Sequence, residues 1–300
     1  MDLCRVFCDV KKIKKLPGLD PGSSELYFKK KKKYNEDPRS FLFNIFYCLG
    51  NKYLFFARFT KLIIIKAMDK ENFAKLSGVE ITDAHFEKFQ KLLTSYNDWN
   101  GKINISAIKD EQGIWEKHFI DSVAGYKHLK NPAKKRVLDL GTGGGFPLLP
   151  LSILVPSATF FGLDSVGKKL KVVKNIAEEA SISMPNVLHG RAEDFAHEDQ
   201  YREKFNVVVT RAVAAWPTLL ELSLPFLKVG GEFLAYQGPA ILEDLNTYKN
   251  LEQKLGAKII EVIEEDVCGN SRVFVKMRKI KPTPKMYPRE VGMPKRNPLK

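Results

Sequence analysis

Cysteine is scarce: a chain of 300 residues holds four, at positions 4, 8, 48 and 268. That excludes a disulfide-stapled scaffold, and the lack of any CxxC pair argues against a structural zinc site, so no metal is expected. Long apolar runs are missing too. No stretch of 18 uncharged apolar residues occurs, so no segment reads as a membrane-spanning helix. No internal repeat is visible. Hydrophobic residues make up 44% and charged residues 28%, a globular balance that excludes wholesale disorder.

Charge is present in excess but unevenly. The formal net charge is +14. Residues 1–67 carry 15 Lys/Arg against 6 Asp/Glu, and residues 276–300 carry 9 against Glu290 alone. The stretch between them is slightly acidic. A near-neutral body with two basic ends suits a polyanion such as RNA, or equally a tail that only solubilises. Residues 1–67 hold the Lys clusters Lys11 to Lys15 and Lys29 to Lys33, and a Phe/Tyr-crowded stretch from Ser40 to Ile65. Such a basic, aromatic segment suits a membrane surface, but it is expected instead to lie outside the fold, with translation starting at Met68.

From Met68 the pattern is regular. Thr82 is placed to cap a helix with apolar Phe86, Phe89, Leu93 and Tyr96, which Asn100-Gly101 is expected to break. A second helix runs through Trp115, Phe119, Val123 and Tyr126, and Asn131-Pro132 ends this helical region, 68–132. Strands then follow at 136–140, 158–163, 186–188, 205–209, 232–236, 258–263 and 272–277, most of them separated by helical patterns. That alternation predicts a doubly wound α/β sheet over 133–278. The short turn at 268–271 predicts an antiparallel edge hairpin, and 279–300 is a basic, Pro-rich tail.

The most informative run is Asp139-Leu140-Gly141-Thr142-Gly143-Gly144-Gly145-Phe146-Pro147, where a strand feeds a helix. A dinucleotide fingerprint would need glycine at 146 or 148, where Phe146 and Leu148 stand, and the Gly-Lys-Ser/Thr ending of a P-loop is absent. The remaining pattern, Asp-x-Gly-x-Gly-x-Gly, resembles the first motif of class I S-adenosylmethionine-dependent methyltransferases. Asp164 ends the second strand, where a carboxylate is placed to take both hydroxyls of a ribose. Glu193-Asp194 follow the third.

Six segments in order, 97–108, 116–122, 139–151, 191–195, 210–214 and 281–299, resemble the RsmG (GidB) family of bacterial methyltransferases, which methylate N7 of a guanine in 16S ribosomal RNA. The resemblance implies a class I methyltransferase-like fold with an N-terminal helical region. It implies S-adenosylmethionine contacts at Gly141, Phe146, Asp164, Ala192, Glu193 and Arg211, with Arg211 also a candidate for placement. It further implies a monomeric, cytoplasmic enzyme acting on 16S RNA or the small ribosomal subunit, without membrane association. Two departures stand out: Gln237 occupies a position where the family usually has Lys, and Leu148 replaces a small residue.

Guanine N7 carries a free in-plane lone pair, so its methylation needs orientation and electrostatics rather than a base. Consistently, Thr210-Arg211-Ala212-Val213 stands where amino-methylating enzymes carry Asn/Asp-Pro-Pro-aromatic. Cys268 lacks the Pro-Cys setting of a carbon-5 nucleophile and reads as structural. His118, like His85, His128, His189 and His197, is expected to be packed or locally hydrogen-bonded. Trp115 is expected in the core; Trp99 and Trp216 remain open. Asn104 and Ser106 are candidate substrate contacts. Arg289, Lys295 and Arg296 in the tail are expected to dock RNA, with Tyr287 stacking on a base. A small-molecule or protein substrate, or a non-catalytic RNA-binding protein, are the competing readings.

Overall fold

A computed structural model of the protein describes residues 68–300 and, before them, four strands: β1 (Ser24–Phe28), β2 (Ile45–Leu49), β3 (Tyr53–Arg58) and β4 (Lys61–Lys66). The chain divides into two compact units, Met1–Asp69 and Lys70–Lys300. Within the first, β1 pairs antiparallel with β2 and β3 with β4. Both Lys clusters, Lys11 to Lys15 and Lys29 to Lys33, lie outside the described residues.

The second unit opens with helices. In α1 (Lys70–Ser77), Phe73 turns inward. In α2 (Asp83–Ile103), Thr82 caps the start by accepting the His85 N–H. Asn100-Gly101 does not break this helix. It runs on to Ile103 and closes at Asn104, whose backbone is left-handed at φ 51°. An interior glycine costs about 1 kcal/mol, and the buried face from Phe89 to Asn100 offsets it. The second predicted helix is four joined pieces: α3 (Glu111–Ile114), a π-helical turn (Trp115–Ile120), α4 (Asp121–Ala124) and a 3-10 turn (Gly125–His128) that carries Tyr126.

Then strand and helix alternate. β5 (Arg136–Leu140), α5 (Leu148–Leu154), β6 (Thr159–Asp164), α6 (Gly167–Glu179), β7 (Asn186–His189), α7 (Ala192–Phe195), β8 (Phe205–Arg211), α8 (Trp216–Ser223) and β9 (Leu227–Gln237) follow in order. After α9 (Ile241–Thr247) and α10 (Leu251–Lys254) come β10 (Ala257–Val267) and β11 (Asn270–Lys279). The seven strands form one sheet in the order β10-β11-β9-β8-β5-β6-β7. The five from β9 to β7 are parallel, and β10 and β11 add an antiparallel hairpin at one edge. This is the mixed sheet expected from the alternation. Cys268 and Gly269 make the hairpin turn, both with positive φ. The central strands β5 and β8 are buried, with Val137, Leu138, Val208 and Val209 sealed from solvent, as parallel strands are when both faces are covered.

The tail, 279–300, folds back on the body, with the single turn α11 (Met293–Arg296) near its end. Lys279, fully buried, donates to the Leu224 carbonyl and to Thr283 Oγ1. Arg202 donates to the carbonyls of Thr283, Pro284 and Tyr287. Thr218 Oγ1 donates to the Pro294 carbonyl at 2.8 Å. Tyr287, expected to stack on a base, packs against the hydrophobic core.

Candidate functional site

A cleft of about 550 Å³ opens at the C-terminal ends of the parallel strands. It collects Gly141 to Gly144 and Phe146 from the turn after β5, Asp164 from β6, Ala192 and Glu193 from α7, and Arg211 from β8. These include every residue expected to touch a cofactor. Ligands bind open α/β sheets at this end.

The glycine turn is shaped by Asp139. Its carboxylate, buried at the end of β5, accepts Thr142 Oγ1 at 2.6 Å and the Leu148 N–H at 3.2 Å. Burial pushes its pKa up to about 7. Leu148 therefore starts α5 from a fully buried position. Pro147 stands just before the helix rather than inside its first turn. Gly141 and Gly143 have positive φ, and a side chain on Gly141 would strike Val213 at 2.6 Å. At Gly143 the nearest neighbour is 3.9 Å away, so the backbone there is open to a ligand.

Asp164 accepts the Gly143 N–H through Oδ2 and the Val166 N–H through Oδ1, both at 2.8 Å. The carboxylate is thus held at the mouth with lone pairs to spare. Glu193 is 3% exposed. Its Oε1 accepts from Arg191 and from the Gly292 N–H, while Oε2 has no partner. An orphaned, buried carboxylate oxygen in a cleft wall calls for a donor from a guest. The Gly292 bond also makes the folded-back tail part of this wall, and Lys295 lines the cleft beside it.

The other end of the cleft is built by the helical region. Asn100 holds the loop after α2 with both ends of its amide: Nδ2 donates to the Ile108 carbonyl, and Oδ1 accepts the Ser106 N–H, each at 2.9 Å. Ser106 thereby lines the cleft. Asn104 does not; it is the exposed left-handed cap of α2. The π turn brings His118 inward. Its ring lies 4.5 Å from Phe146 at an interplanar angle of 9°, with Nε2 3.0 Å from Ser106 Oγ and Nδ1 3.3 Å from Arg211 Nη2. Burial, helped by the Arg211 cation, lowers its pKa to about 4.

Arg211 is part of a larger ionic cluster. Asp121, 2% exposed, accepts Arg211 Nη1 on one oxygen at 2.8 Å and Arg272 Nε on the other at 2.5 Å. Arg211 Nη1 also donates to the Lys117 carbonyl. The residue thus binds β8 to the π turn, so it is structural as well as cleft-lining.

Sequence reasoning missed Tyr96, Asn100 and Asp121 here and set His118 aside. Only a capping-type amide at Asn100 was open to it as a signal; the others meet across 12 to 151 residues of chain. Arg289, expected to bind RNA, is a correction: Nε and Nη2 grip the two oxygens of Glu221, a fully buried carboxylate. Arg296 is exposed, away from the cleft lining. Trp115 and Trp216 are core residues, and Trp99 donates to Glu179. His197 Nε2 donates to the Pro288 carbonyl at 2.8 Å. Among the described residues no His/Cys/Asp/Glu cluster could hold a metal ion.

Comparison with known proteins adds the following. Residues 85–268 match the protein family described as "rRNA small subunit methyltransferase G". The chain is 40% identical over 225 residues to ribosomal RNA small subunit methyltransferase G of Clostridium novyi, covering 74% of this chain and 92% of that protein. It is 38% identical to the protein of the same name in Brevibacillus brevis, covering 77% of this chain and 100% of that one. Among solved structures, the YcgJ protein from Bacillus subtilis aligns at a TM-score of 0.43 with 15% identity, over 55% of this chain and 100% of that chain.

Proposed function

Since the chain belongs to the GidB family, the small-subunit rRNA methyltransferases G, we propose that it moves a methyl group from S-adenosylmethionine to N7 of a guanine in 16S ribosomal RNA. Methylation of ribosomal RNA with that cofactor is the activity of the family. The nucleobase and the atom are our reading.

The cleft fits the cofactor. Asp164, oriented by two backbone N–H groups, keeps a lone pair on each oxygen for a ribose hydroxyl. The unpartnered Glu193 Oε2 and the backbone at Ala192 face the place where a base would lie. Gly141 to Gly144 and Phe146 let the ligand approach the turn closely, and Arg211 offers positive charge to a carboxylate. When bound, the cofactor supplies an electrophilic methyl group. The chain's own part is to orient the acceptor against it and to keep water out.

The observation that favours N7 is the state of His118. It is the one imidazole lining the cleft, it is neutral, and both ring nitrogens are engaged. A site that leaves its imidazole no freedom to take a proton suits a nucleophile that arrives with a lone pair. Lys169 and Lys295, at the cleft and without carboxylate partners among the described residues, suit a phosphate backbone better than a neutral small molecule. With Arg289 committed to Glu221, Lys295 at the cleft and the exposed Arg296 are the tail candidates left for that role.

We further read residues 68–300 as sufficient for the reaction, residues 1–67 as dispensable, and the enzyme as monomeric and cytoplasmic. No described helix is long and apolar enough to cross a membrane. The test is transfer of tritiated methyl from S-adenosylmethionine to small subunits and to stripped 16S RNA. Borohydride reduction and aniline scission, which cut at N7-methylguanine, then map the product. Label in an aniline-resistant nucleotide, or in protein, would sink the reading; another RNA as acceptor would redirect it.

A further inference from the structure

The charge of α6 runs against its own dipole. A helix is partially positive at its N-terminus and partially negative at its C-terminus, so acids stabilise the first turn and bases the last. Helices α1 and α2 obey this: α1 has Glu71 first and Lys75 last, and α2 has Asp83 first and Lys102 last. In α6 the order is reversed. Lys168, Lys169, Lys171 and Lys174 come first, no acid occurs before Glu178, and no base follows Lys174. The acidic end has a packing reason, since Glu179 accepts from Ser95 Oγ and Trp99 Nε1. The basic end has none. Leu170, Val173, Ile176 and Ala177 form the buried face, while Lys168, Lys171 and Lys174 stand exposed on the outer side. They recur every three residues over about 9 Å of helix axis, close enough to repel one another. None of the three is paired with a carboxylate among the described residues.

On the reading that RNA is the methyl acceptor, we propose that Lys168, Lys171 and Lys174 form a docking surface for its phosphate backbone. The reaction site is adjacent. Lys169, on the same helix, lines the cleft, and Lys295 lines it as well. The stripe carries the positive charge of Lys169 onward along the outer face of α6, so a strand whose base enters the cleft meets it with its neighbouring phosphates. The stretch between the two basic ends of the chain is slightly acidic overall, so attraction to RNA has to come from such local concentrations of charge. Nothing in the fold gains from the stripe, because like charges at the positive end of a helix cost stability. Contact with phosphates, and the release of their counterions, is the gain that offsets this. A lysine meets a phosphate as a point charge and reads no base. The surface therefore supplies affinity and position, while the choice of base is left to the cleft.

The experiment compares two triple variants of the full chain. One carries Lys168→Gln, Lys171→Gln and Lys174→Gln. The other removes the same charge at the far end of the sheet, with Lys134→Gln, Lys204→Gln and Lys228→Gln, three exposed lysines at the N-terminal ends of β5, β8 and β9. Binding to 16S RNA is measured across a salt series, alongside S-adenosylmethionine affinity and Tm. The α6 triple should raise KM for RNA and flatten the slope of log Kd against log salt by about 2, at roughly 0.7 for each lost single-strand phosphate contact. Cofactor affinity should stay fixed, and Tm should hold or rise. The control triple should change the slope far less, and Lys→Arg at the three α6 positions should preserve it. An unchanged slope in the α6 triple would overturn the proposal. So would an equal loss in the control triple, which would make the attraction one of net charge alone. A fall in Tm with RNA affinity intact in the folded fraction would assign the lysines to the fold instead. If wild-type enzyme transfers no methyl to RNA, the parent reading falls and takes this one with it; if it methylates RNA equally well without the stripe, this one falls alone.

Discussion

Replacing Arg289 with Gln tests how the tail is held. Glu221 is completely buried, and Arg289 satisfies it three times: the backbone N–H and Nε on Oε1, both at 2.9 Å, and Nη2 on Oε2 at 2.7 Å. Nη2 also donates to the Asn297 carbonyl at 2.8 Å, closing the tail on itself. Removing one partner of a buried pair costs about 3–5 kcal/mol, because the other charge is left uncompensated. The backbone N–H survives the substitution, and the arginine side chain is 22% exposed, so the low end, about 3 kcal/mol, is expected. For a folded unit of this size that is a fall of about 6–12 °C in Tm. The tail carries Gly292, which supports Glu193, and Pro294, which accepts from Thr218. Cofactor affinity should therefore fall with stability. Urea unfolding followed by circular dichroism gives the stability, and calorimetry at a temperature where the variant is folded gives the affinity. Glu221→Gln added to Arg289→Gln should recover part of the loss, since no buried charge then remains. The reasoning fails if Arg289→Gln unfolds within about 0.5 kcal/mol of wild type while RNA affinity drops and its salt dependence flattens; the guanidinium would then be facing phosphate.

Asp164→Ala should weaken S-adenosylmethionine binding by about 1–3 kcal/mol in calorimetry, from lost charge-assisted hydrogen bonds; unchanged affinity in folded protein would remove it from the site. Asn100→Ala should cost about 1–3 kcal/mol by freeing the loop that carries Ser106, and should lower kcat/KM for RNA more than it lowers cofactor affinity; equal effects on both would count against a loop-specific role. His118, with a folded pKa near 4 against an ordinary 6.5, contributes stability that is present above pH 6.5 and lost as the pH falls through about 4. The loss is on the order of 3 kcal/mol, so wild type should lose stability in that interval more steeply than His118→Gln in urea titrations; parallel curves would mean that the ring is not buried neutral.

Much of the sheet could be read directly. The runs at Val137 to Leu140 and Phe205 to Val209 are short and apolar, and the glycines after Asp139 mark a strand-to-helix turn, because these signals depend on a few neighbouring residues. The same holds for the hairpin turn at Cys268-Gly269 and for Asp164 at a strand end. Asn100-Gly101 shows the limit of local rules. By propensity it is a break, and burial of one helix face overrides it.

What the sequence by itself determined, then, is the α/β alternation, the glycine turn and the order of acids that follow it. The partner of each charged or polar side chain was decided only by packing. Arg289 reads as a free cation in a basic tail until Glu221, 68 residues earlier, is found beneath it. His118 reads as an ordinary helical histidine until a π turn aims it between Ser106 and Arg211. Asp121 meets Arg211 and Arg272 across 90 and 151 residues. Hydrophobic periodicity reports which face of an element turns inward. Which charges are then neutralised, and which stay free for a ligand, depends on the elements that pack against that face.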